Sequence, residues 1–466
     1  MFDLAIRGAR VLSGSGEVEA DVFVAGEEIA AIRHRPFPDT SSDDECDHEL
    51  EPVARQVFDA SGMMLMPGVI DPHVHFGLKS RGTSTADDFS TASACAATGG
   101  VTTVIDYADH LPHASLLQSS QARSREIQGS SAIDWSLHQN VTRLDQQITH
   151  QLRALRDFGI SSVKVFTTYK EAGYMLPESD FAELAGASAD AGVLVTVHAE
   201  DDDVLTQARS AAQAAGDTAP DGHGRSRPPT AEALAVQRLI SAARGHPIYF
   251  VHVSTAEAAS DIAEARRRGL PVFAETCPHY LLLDDVAYAG PSPRLFIMSP
   301  PLRPPHHRQQ LWRALREGAI DCISTDHCAY THEQKSRGDS CFQVLPGIPG
   351  VHTSLALVYS YGVVGGAISA SRMVGLMCEN PARIFGLRRK GKIEVGYDAD
   401  IVLLEPCGPM ALKGMDLASP AGYTPFEGMD VKCRVRRTYL RGKLVAENGR
   451  FVGDSTMGKF VASPVQ

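Results

Sequence analysis

Short runs of β-branched and other apolar residues recur through the middle of the chain, each bounded by polar or turn-forming residues. Segments with a helical apolar period separate several of these runs. Strands alternating with helices are typical of a parallel α/β arrangement, and eight such runs predict a (β/α)8 TIM-like barrel. The predicted strands are 69–75, 101–107, 133–141, 163–169, 193–198, 248–254, 272–278 and 320–326, and the clearest predicted helices are 145–158, 177–191, 230–243 and 256–268.

The pattern changes at both ends of the chain. Residues 3–34, and then residues 399–404 and 431–445, read as short alternating strands with glycine at the turns. We therefore predict a small, discontinuous β-sandwich domain made of residues 1–66 and 395–466, with the barrel formed by residues 67–394. Residues 36–52 are rich in Pro, Ser, Asp and Glu and lack an apolar period, so we predict an exposed insertion there.

Composition excludes several classes of partner. The chain has 466 residues and a formal net charge of −12, which argues against binding to nucleic acid or to an anionic membrane surface. No apolar run is long enough to span a bilayer, and the first residues lack the pattern of a signal peptide. The nine cysteines form no Cys-x-x-Cys pair, which favours reduced thiols. We therefore predict a cytoplasmic protein.

Polar residues follow the predicted strands where a barrel carries its chemistry, at the carboxyl ends. One such residue alone is often a core histidine with a structural partner, and a single His-x-His pair can arise by chance. Here six residues occupy the ends of five strands, and neutral imidazole suits Zn, Fe or Ni. The pattern predicts a metal site formed by His73, His75, Lys164, His198, His252 and Asp326.

Lys164 is unusual in this set because an ammonium group repels cations. Burial lowers the pKa of a lysine, and the neutral amine can then take up carbon dioxide. The resulting carbamate (N6-carboxylysine) is an anion on a long stem. It can bridge two metal ions about 3.5–4 Å apart, as in two-metal hydrolytic sites. The alternative is a buried lysine paired with a carboxylate.

Several stretches resemble the amidohydrolase superfamily, and in particular its hydantoinase and dihydropyrimidinase (cyclic amidase) branch. They include Gly-Val-Ile-Asp-Pro-His-Val-His at 68–75 and Glu-Thr-Cys-Pro-His-Tyr-Leu at 275–281. The resemblance extends over nearly the whole chain. The other matching segments are 82–89, 164–169, 197–200, 226–229, 298–303, 324–328, 347–351 and 380–387.

The resemblance implies a hydrolase that opens a cyclic amide or ureide ring with a metal-bridging hydroxide. One metal would be held by His73, His75, carboxylated Lys164 and Asp326, and the other by the same carbamate with His198 and His252. The two divalent ions are expected to be Zn²⁺, with Mn or Fe as alternatives. Asp326 would also transfer a proton, Tyr169 would donate to the oxyanion, and Ser299 and Pro346 would bind the ring amide through their backbones. Tyr169 is otherwise an ordinary aromatic residue at the barrel mouth.

The sequence departs from the usual family pattern around the substrate. Segment 77–81 reads Gly-Leu-Lys-Ser-Arg where hydantoinases present an apolar loop, so Lys79 and Arg81 are candidates to bind a carboxylate or another polar substituent. The alternative is that both side chains point to solvent. Pro346 stands where Asn is frequent, and His279 resembles allantoinases more than hydantoinases.

Two other functions follow from the same likeness. One is allantoinase-type hydrolysis, or hydrolysis of another cyclic imide or amide, on the same scaffold. The other is a non-catalytic scaffold homologue. The complete set of metal-ligand positions argues against this alternative. The family usually assembles as a homotetramer, with a homodimer as the alternative, so the expected partners are a small cyclic amide and further copies of this chain.

Overall fold

The computed structural model describes residues 1–35 and 53–463, so the predicted insertion at 36–52 lies outside the described residues. Eight parallel strands pair in chain order into one sheet, and a parallel bridge between Val74 and His327 joins its two edges. This confirms the predicted barrel. Its strands are Val69–Val74, Val101–Ala108, Asp134–Asn140, Ser162–Phe166, Leu194–His198, Ile248–Phe250, Val272–Thr276 and Cys322–Ile323.

Several barrel strands end earlier than predicted. The sixth ends at Phe250 rather than at residue 254, and the eighth ends at Ile323 rather than at residue 326. Immediately beyond them, His252 has φ 39° and Asp326 has φ 49°. A left-handed residue breaks an extended strand, and such strained backbone is concentrated at functional sites. The sequence pattern does not reveal these two turns.

Helices follow most of the barrel strands and cover their outer face. Of the predicted helices, 145–158, 177–191, 230–243 and 256–268 are found with shifts of a few residues at their ends. None of the described helices is long and apolar enough to cross a bilayer. The α-helices are Phe89–Thr98, Leu116–Ile127, Ile148–Phe158, Glu178–Asp190, Asp202–Ala214, Pro220–Arg225, Pro229–Ala242, Ala256–Arg267, Pro278–Leu282, Pro305–Glu317, His332–Ser336, Ser354–Leu357, Ala370–Val374 and Asn380–Phe385, with π-helical turns at Val358–Val363 and Gly375–Glu379 and 3₁₀ turns at Lys170–Ala172, Asp285–Ala289, Pro293–Phe296 and Gly414–Asp416.

Both ends of the chain build one nine-stranded sheet, which confirms the discontinuous β domain. Met64–Pro67 joins the two halves, because it pairs in parallel with Phe2–Ser13 and antiparallel with Ile401–Ala411. The domain boundaries at 66/67 and 394/395 stay a prediction. The other strands of the sheet are Gly16–Ala25, Glu28–His34, Ala54–Asp59, Asp430–Leu440, Lys443–Glu447 and Arg450–Phe451.

A buried ionic cluster joins this sheet to the barrel. Lys390 Nζ lies 2.5 Å from Asp134 Oδ2, at the start of the third barrel strand, and 2.7 Å from Asp400 Oδ2, beside the sheet. Arg441 also contacts Asp134. Removing one partner would leave an uncompensated buried charge and would destabilise this contact between the sheet and the barrel.

Candidate metal centre

Three of the predicted metal ligands converge at the end of the first barrel strand. His73 and His75 are two residues apart, so their side chains share a face, and their Nε2 atoms lie 3.3 Å from each other. Each Nε2 is 3.2 Å from Asp326 Oδ1, which arrives from beyond the eighth strand. The ligand atoms of these three residues all lie within 4.8 Å of one another. This spacing suits a single cation.

The second pair lies beside the first. His198 Nδ1 is 2.8 Å from His252 Nε2, and the rings of His73 and His252 are 5.4 Å apart between centroids. His252 reaches this position through its left-handed backbone. Ligands from the first, fifth, sixth and eighth strands therefore meet inside one barrel mouth.

Lys164 lies among these groups and is 1% exposed. Its neighbours Val163 and Val165 belong to the apolar core, so strand alternation directs Lys164 to the opposite face. Burial lowers the pKa of Lys164 to about 7, although the carboxylates of Glu275 and Asp326 act in the other direction. Within residues 1–35 and 53–463 it forms no salt bridge, so neither carboxylate is a direct partner of its amine.

Two carboxylates that the sequence analysis did not predict bind ring nitrogens of His73 and His198. His73 Nδ1 lies 2.5 Å from Glu275 Oε1, and His198 Nε2 lies 2.7 Å from Glu200 Oε2. Such partners fix the tautomer of a metal-binding imidazole and direct its other nitrogen at the metal. Glu200 is two residues after His198, and this spacing was a signal available in the sequence. The contact of Glu275, in the seventh strand, with His73 in the first depends on how the barrel closes.

The residues fit a pair of divalent transition-metal ions. Burial lowers the pKa values of His198 and His252, which keeps both imidazoles neutral and able to bind metal. Burial alone would also lower the pKa of His73, but Asp326 and Glu275 raise it to about 9. That negative field favours a cation beside His73. Imidazole and carboxylate donors together match Zn, Mn or Fe.

Tyr169 lies at the mouth beside His198, with 5.2 Å between ring centroids. Its backbone is left-handed, with φ 66°, just beyond the fourth strand. Arg227 Nη2 donates to the Tyr169 hydroxyl over 3.3 Å and also pairs with Glu200. Burial raises the pKa of Tyr169, while Arg227, Ser299 and Arg81 lower it. The phenol is therefore kept protonated and able to donate.

The predicted substrate-binding residues lie in separate segments around this mouth. Ser299 is close enough to Tyr169 to lower the pKa of its hydroxyl. The loop of Pro346 is attached to the segment before Ser299, because Gly347 N donates to Ile297 O over 3.0 Å. No contact described for Pro346 itself reaches the metal ligands.

Lys79 and Arg81 belong to a short hairpin of Lys79–Ser80 and Thr83–Ser84, and both are exposed. Arg81 has φ 49°, and its guanidinium is close enough to lower the pKa of both Tyr169 and Tyr330. Lys79 lines a cavity of about 200 Å³ that His75 and Tyr107 also line. The exposure of Lys79 and Arg81 agrees with the alternative that both side chains point to solvent. The proximity of Arg81 to Tyr169 agrees with a role in binding the substrate.

Comparisons with known proteins agree with the motifs and the fold. The sequence model of the amidohydrolase family matches residues 64–445. The chain is 34% identical to the D-hydantoinase of Ralstonia pickettii over 99% of this chain and 98% of that one. It is 36% identical to a D-phenylhydantoinase of Escherichia coli over 86% and 88%.

Solved structures show the same likeness. The dihydropyrimidinase of Brevibacillus agri superposes with a TM-score of 0.93 and 34% identity, covering 100% of this chain and 99% of that one. The L-hydantoinase of Arthrobacter aurescens gives a TM-score of 0.86 and 29% identity, covering 99% and 100%. The chain therefore belongs to the amidohydrolase family, with hydantoinases and dihydropyrimidinases as full-length relatives.

Proposed function

We propose that this protein is a hydrolase with two divalent metal ions that opens a cyclic amide or ureide ring, as its hydantoinase and dihydropyrimidinase relatives are named for doing. The observation that carries this is the convergence of two histidine groups, the Asp326 carboxylate and the buried Lys164 in one barrel mouth. Full-length likeness to the named hydantoinases supports the substrate class.

His73, His75 and Asp326 would hold one ion and His198 and His252 the other, with Lys164 between them as N6-carboxylysine. We propose Zn²⁺, with Mn or Fe as alternatives. Bound there, two cations supply a Lewis acid for the ring carbonyl and an acidified water as nucleophile. The lowered pKa of Lys164 supports carboxylation, because only the neutral amine reacts with carbon dioxide.

The protein residues would position the ring and move the proton. Asp326 takes a proton from the attacking water and delivers it to the ring nitrogen as the carbon–nitrogen bond breaks. The Tyr169 hydroxyl donates a hydrogen bond to the carbonyl oxygen as negative charge develops there. Arg227 supports that role by holding the phenol oxygen. Ser299 and the carbonyl of Pro346 bind the ring amide through the backbone.

Arg81 and Lys79 would favour substrates with an acidic or polar substituent. Arg81 lies near Tyr169, and a guanidinium binds a carboxylate through two parallel hydrogen bonds. We expect higher kcat/KM on carboxyalkyl-substituted than on phenyl-substituted hydantoins, and loss of that preference in Arg81→Ala. Preference of the parent enzyme for the phenyl compound, or an unchanged ratio in the variant, would mean that these side chains only face solvent.

A second candidate is allantoinase-type hydrolysis, or hydrolysis of another cyclic imide. The buried His279 favours it, because its Nε2 atom has no hydrogen-bond partner in the described structure. Burial lowers the pKa of His279 to about 4, and Asp326 and His73 are close enough to act on that pKa as well. The Nε2 atom of His279 would then bind the additional ureide group of such a substrate. A non-catalytic scaffold homologue is disfavoured because all six metal-ligand positions are filled.

The deciding experiment combines metal analysis with a hydrolysis screen. Purified protein is assayed on hydantoin, dihydrouracil, allantoin and simple imides by following the ring-opened product. Two metal equivalents and turnover of at least one hydantoin or dihydropyrimidine are expected. Turnover of allantoin alone would support the second candidate. Inactivity of the metal-loaded protein on every compound of the screen would refute the proposed hydrolase activity. We also propose a cytoplasmic location and a homotetramer, or alternatively a homodimer.

A further inference from the structure

Lys335 is a second fully buried lysine, and it lies outside the metal centre. It belongs to the short helix His332–Ser336 and is 0% exposed. Its Nζ donates to Ile297 O at 2.6 Å, to Leu345 O at 2.9 Å and to Gly347 O at 2.9 Å. An ammonium has three donors, so three carbonyls satisfy it completely.

The three carbonyls come from two segments that the proposed function assigns to the ring amide. Ile297 lies two residues before Ser299, and Leu345 and Gly347 flank Pro346. The segments also contact each other directly, since Gly347 N donates to Ile297 O. Gly347 has φ 150°, and a Cβ there would lie 2.5 Å from Cys328 O, so this loop is closely packed.

The residue before Lys335 extends the connection to a third segment. Gln334 Nε2 donates to Ser84 O at 2.7 Å and to Thr83 Oγ1 at 3.2 Å, in the hairpin that carries Arg81. A capping box between Thr331 and Gln334 fixes the start of the helix. One five-residue helix therefore binds the hairpin and both ring-amide segments.

Stability alone does not explain a lysine at this place. Burying an ammonium is expensive, and burial lowers the pKa of Lys335 to about 7. In residues 1–35 and 53–463 no carboxylate pairs with Lys335 to offset that cost. What the ammonium provides is a fixed geometry for three main-chain oxygens that belong to two separate segments.

We infer that Lys335 is a positioning residue for substrate recognition. It sets the spacing between the Ser299 backbone and the Pro346 carbonyl, so that a ring amide can meet both, while Gln334 places the hairpin of Arg81 over the same ring. This inference rests on the proposed function, because it requires that a cyclic amide binds between these segments.

The test uses the ring N–H as a probe. Hydantoin is compared with each of its two singly N-methylated forms, of which one lacks the hydrogen that the Pro346 carbonyl would accept. The wild type should reject that form. Lys335→Met, which keeps the length and removes the donors, should lower kcat/KM on hydantoin by about 100-fold, because small misplacements of substrate are costly. It should also reduce the discrimination against the methylated form at least about tenfold.

A second variant and a control separate positioning from general damage. Lys335→Gln keeps two donors and should have an intermediate effect if Lys335→Met folds poorly. Both variants should retain the wild-type metal content. Gln334→Ala should change the preference among ring substituents, because Gln334 holds the hairpin of Arg81. The matched control is Glu333→Gln, an exposed residue of the same helix, which should leave the discrimination between N–H and N-methyl unchanged.

One outcome would overturn the inference separately from the proposed function. If the wild type is active and folded Lys335→Gln loses the same factor of kcat/KM on hydantoin and on the N-methylated form, their ratio is unchanged and Lys335 is merely structural. A metal-loaded wild type that opens no cyclic amide removes the proposed function, and the inference with it.

Discussion

His198 and His252 present ring nitrogens to each other across 2.8 Å inside the barrel mouth. The second nitrogen of His198 is held by Glu200, a carboxylate that requires a proton on Nε2 and so leaves Nδ1 with its lone pair. Burial lowers the pKa values of both histidines. Two neutral imidazoles that face each other in this way have the chemistry expected of a site for one metal ion.

Lys164→Ala should leave a folded protein that has lost most of its metal. The substitution removes the anionic group expected to bridge the two ions, while the histidines stay in place. Metal content by mass spectrometry and thermal unfolding measure the two effects, with the exposed Lys413→Ala as the control. Two metal equivalents and normal turnover in Lys164→Ala would contradict the carbamate.

Asp326→Asn should keep much of the metal and lose turnover. The amide oxygen still coordinates weakly, but it does not accept the proton that the reaction must move. General acid–base roles contribute about 10²–10⁴-fold, so kcat should fall by that order. If kcat of the metal-loaded variant falls by less than about tenfold, Asp326 serves only as a metal ligand.

Glu200→Gln should weaken metal binding without removing a ligand. Glu200 holds His198 Nε2 and pairs with Arg227, and loss of such an outer partner typically costs about 10–100-fold in metal affinity. Competition with a metal-binding dye measures the change. The exposed Glu183→Gln on helix Glu178–Asp190 is the control, and equal affinities in both variants would exclude this role.

Chelation should abolish hydrolysis reversibly. Removal of the ions takes away the nucleophilic water and the carbonyl activation together, so the metal-free protein should be inactive on every ring. Readdition of Zn²⁺, Mn²⁺ or Fe²⁺ one at a time, with bicarbonate present to carboxylate Lys164, then identifies the preferred metal. Full activity after complete removal of metal would contradict a metal-dependent mechanism.

The assembly is expected to be a homotetramer. Light scattering at micromolar protein should give four times the chain mass, or twice that mass for the homodimer. A monomeric mass under those conditions would contradict both. This expectation comes from the family resemblance alone, so the measurement is independent of the other tests.

Much of the barrel and of the candidate metal centre could be predicted from local patterns. Apolar runs bounded by turns predicted eight strands, and the polar residues at their ends predicted His73, His75, Lys164, His198, His252 and Asp326. The structure brings these residues together because parallel strands in a barrel end at one face. Alternation along a strand, as at Val163, Lys164 and Val165, is likewise a property of the sequence alone.

Contacts between distant segments required the tertiary structure. Glu275 reaches His73 across 202 positions of the chain, and Lys335 joins carbonyls from residues 297, 345 and 347. The left-handed turns at His252 and Asp326 shortened two strands and directed their side chains inward. Sequence periodicity reports which face a residue occupies, because neighbouring residues set the local backbone. Which side chain meets which carbonyl depends on how loops close over the barrel, and only the packing of the whole chain decides that.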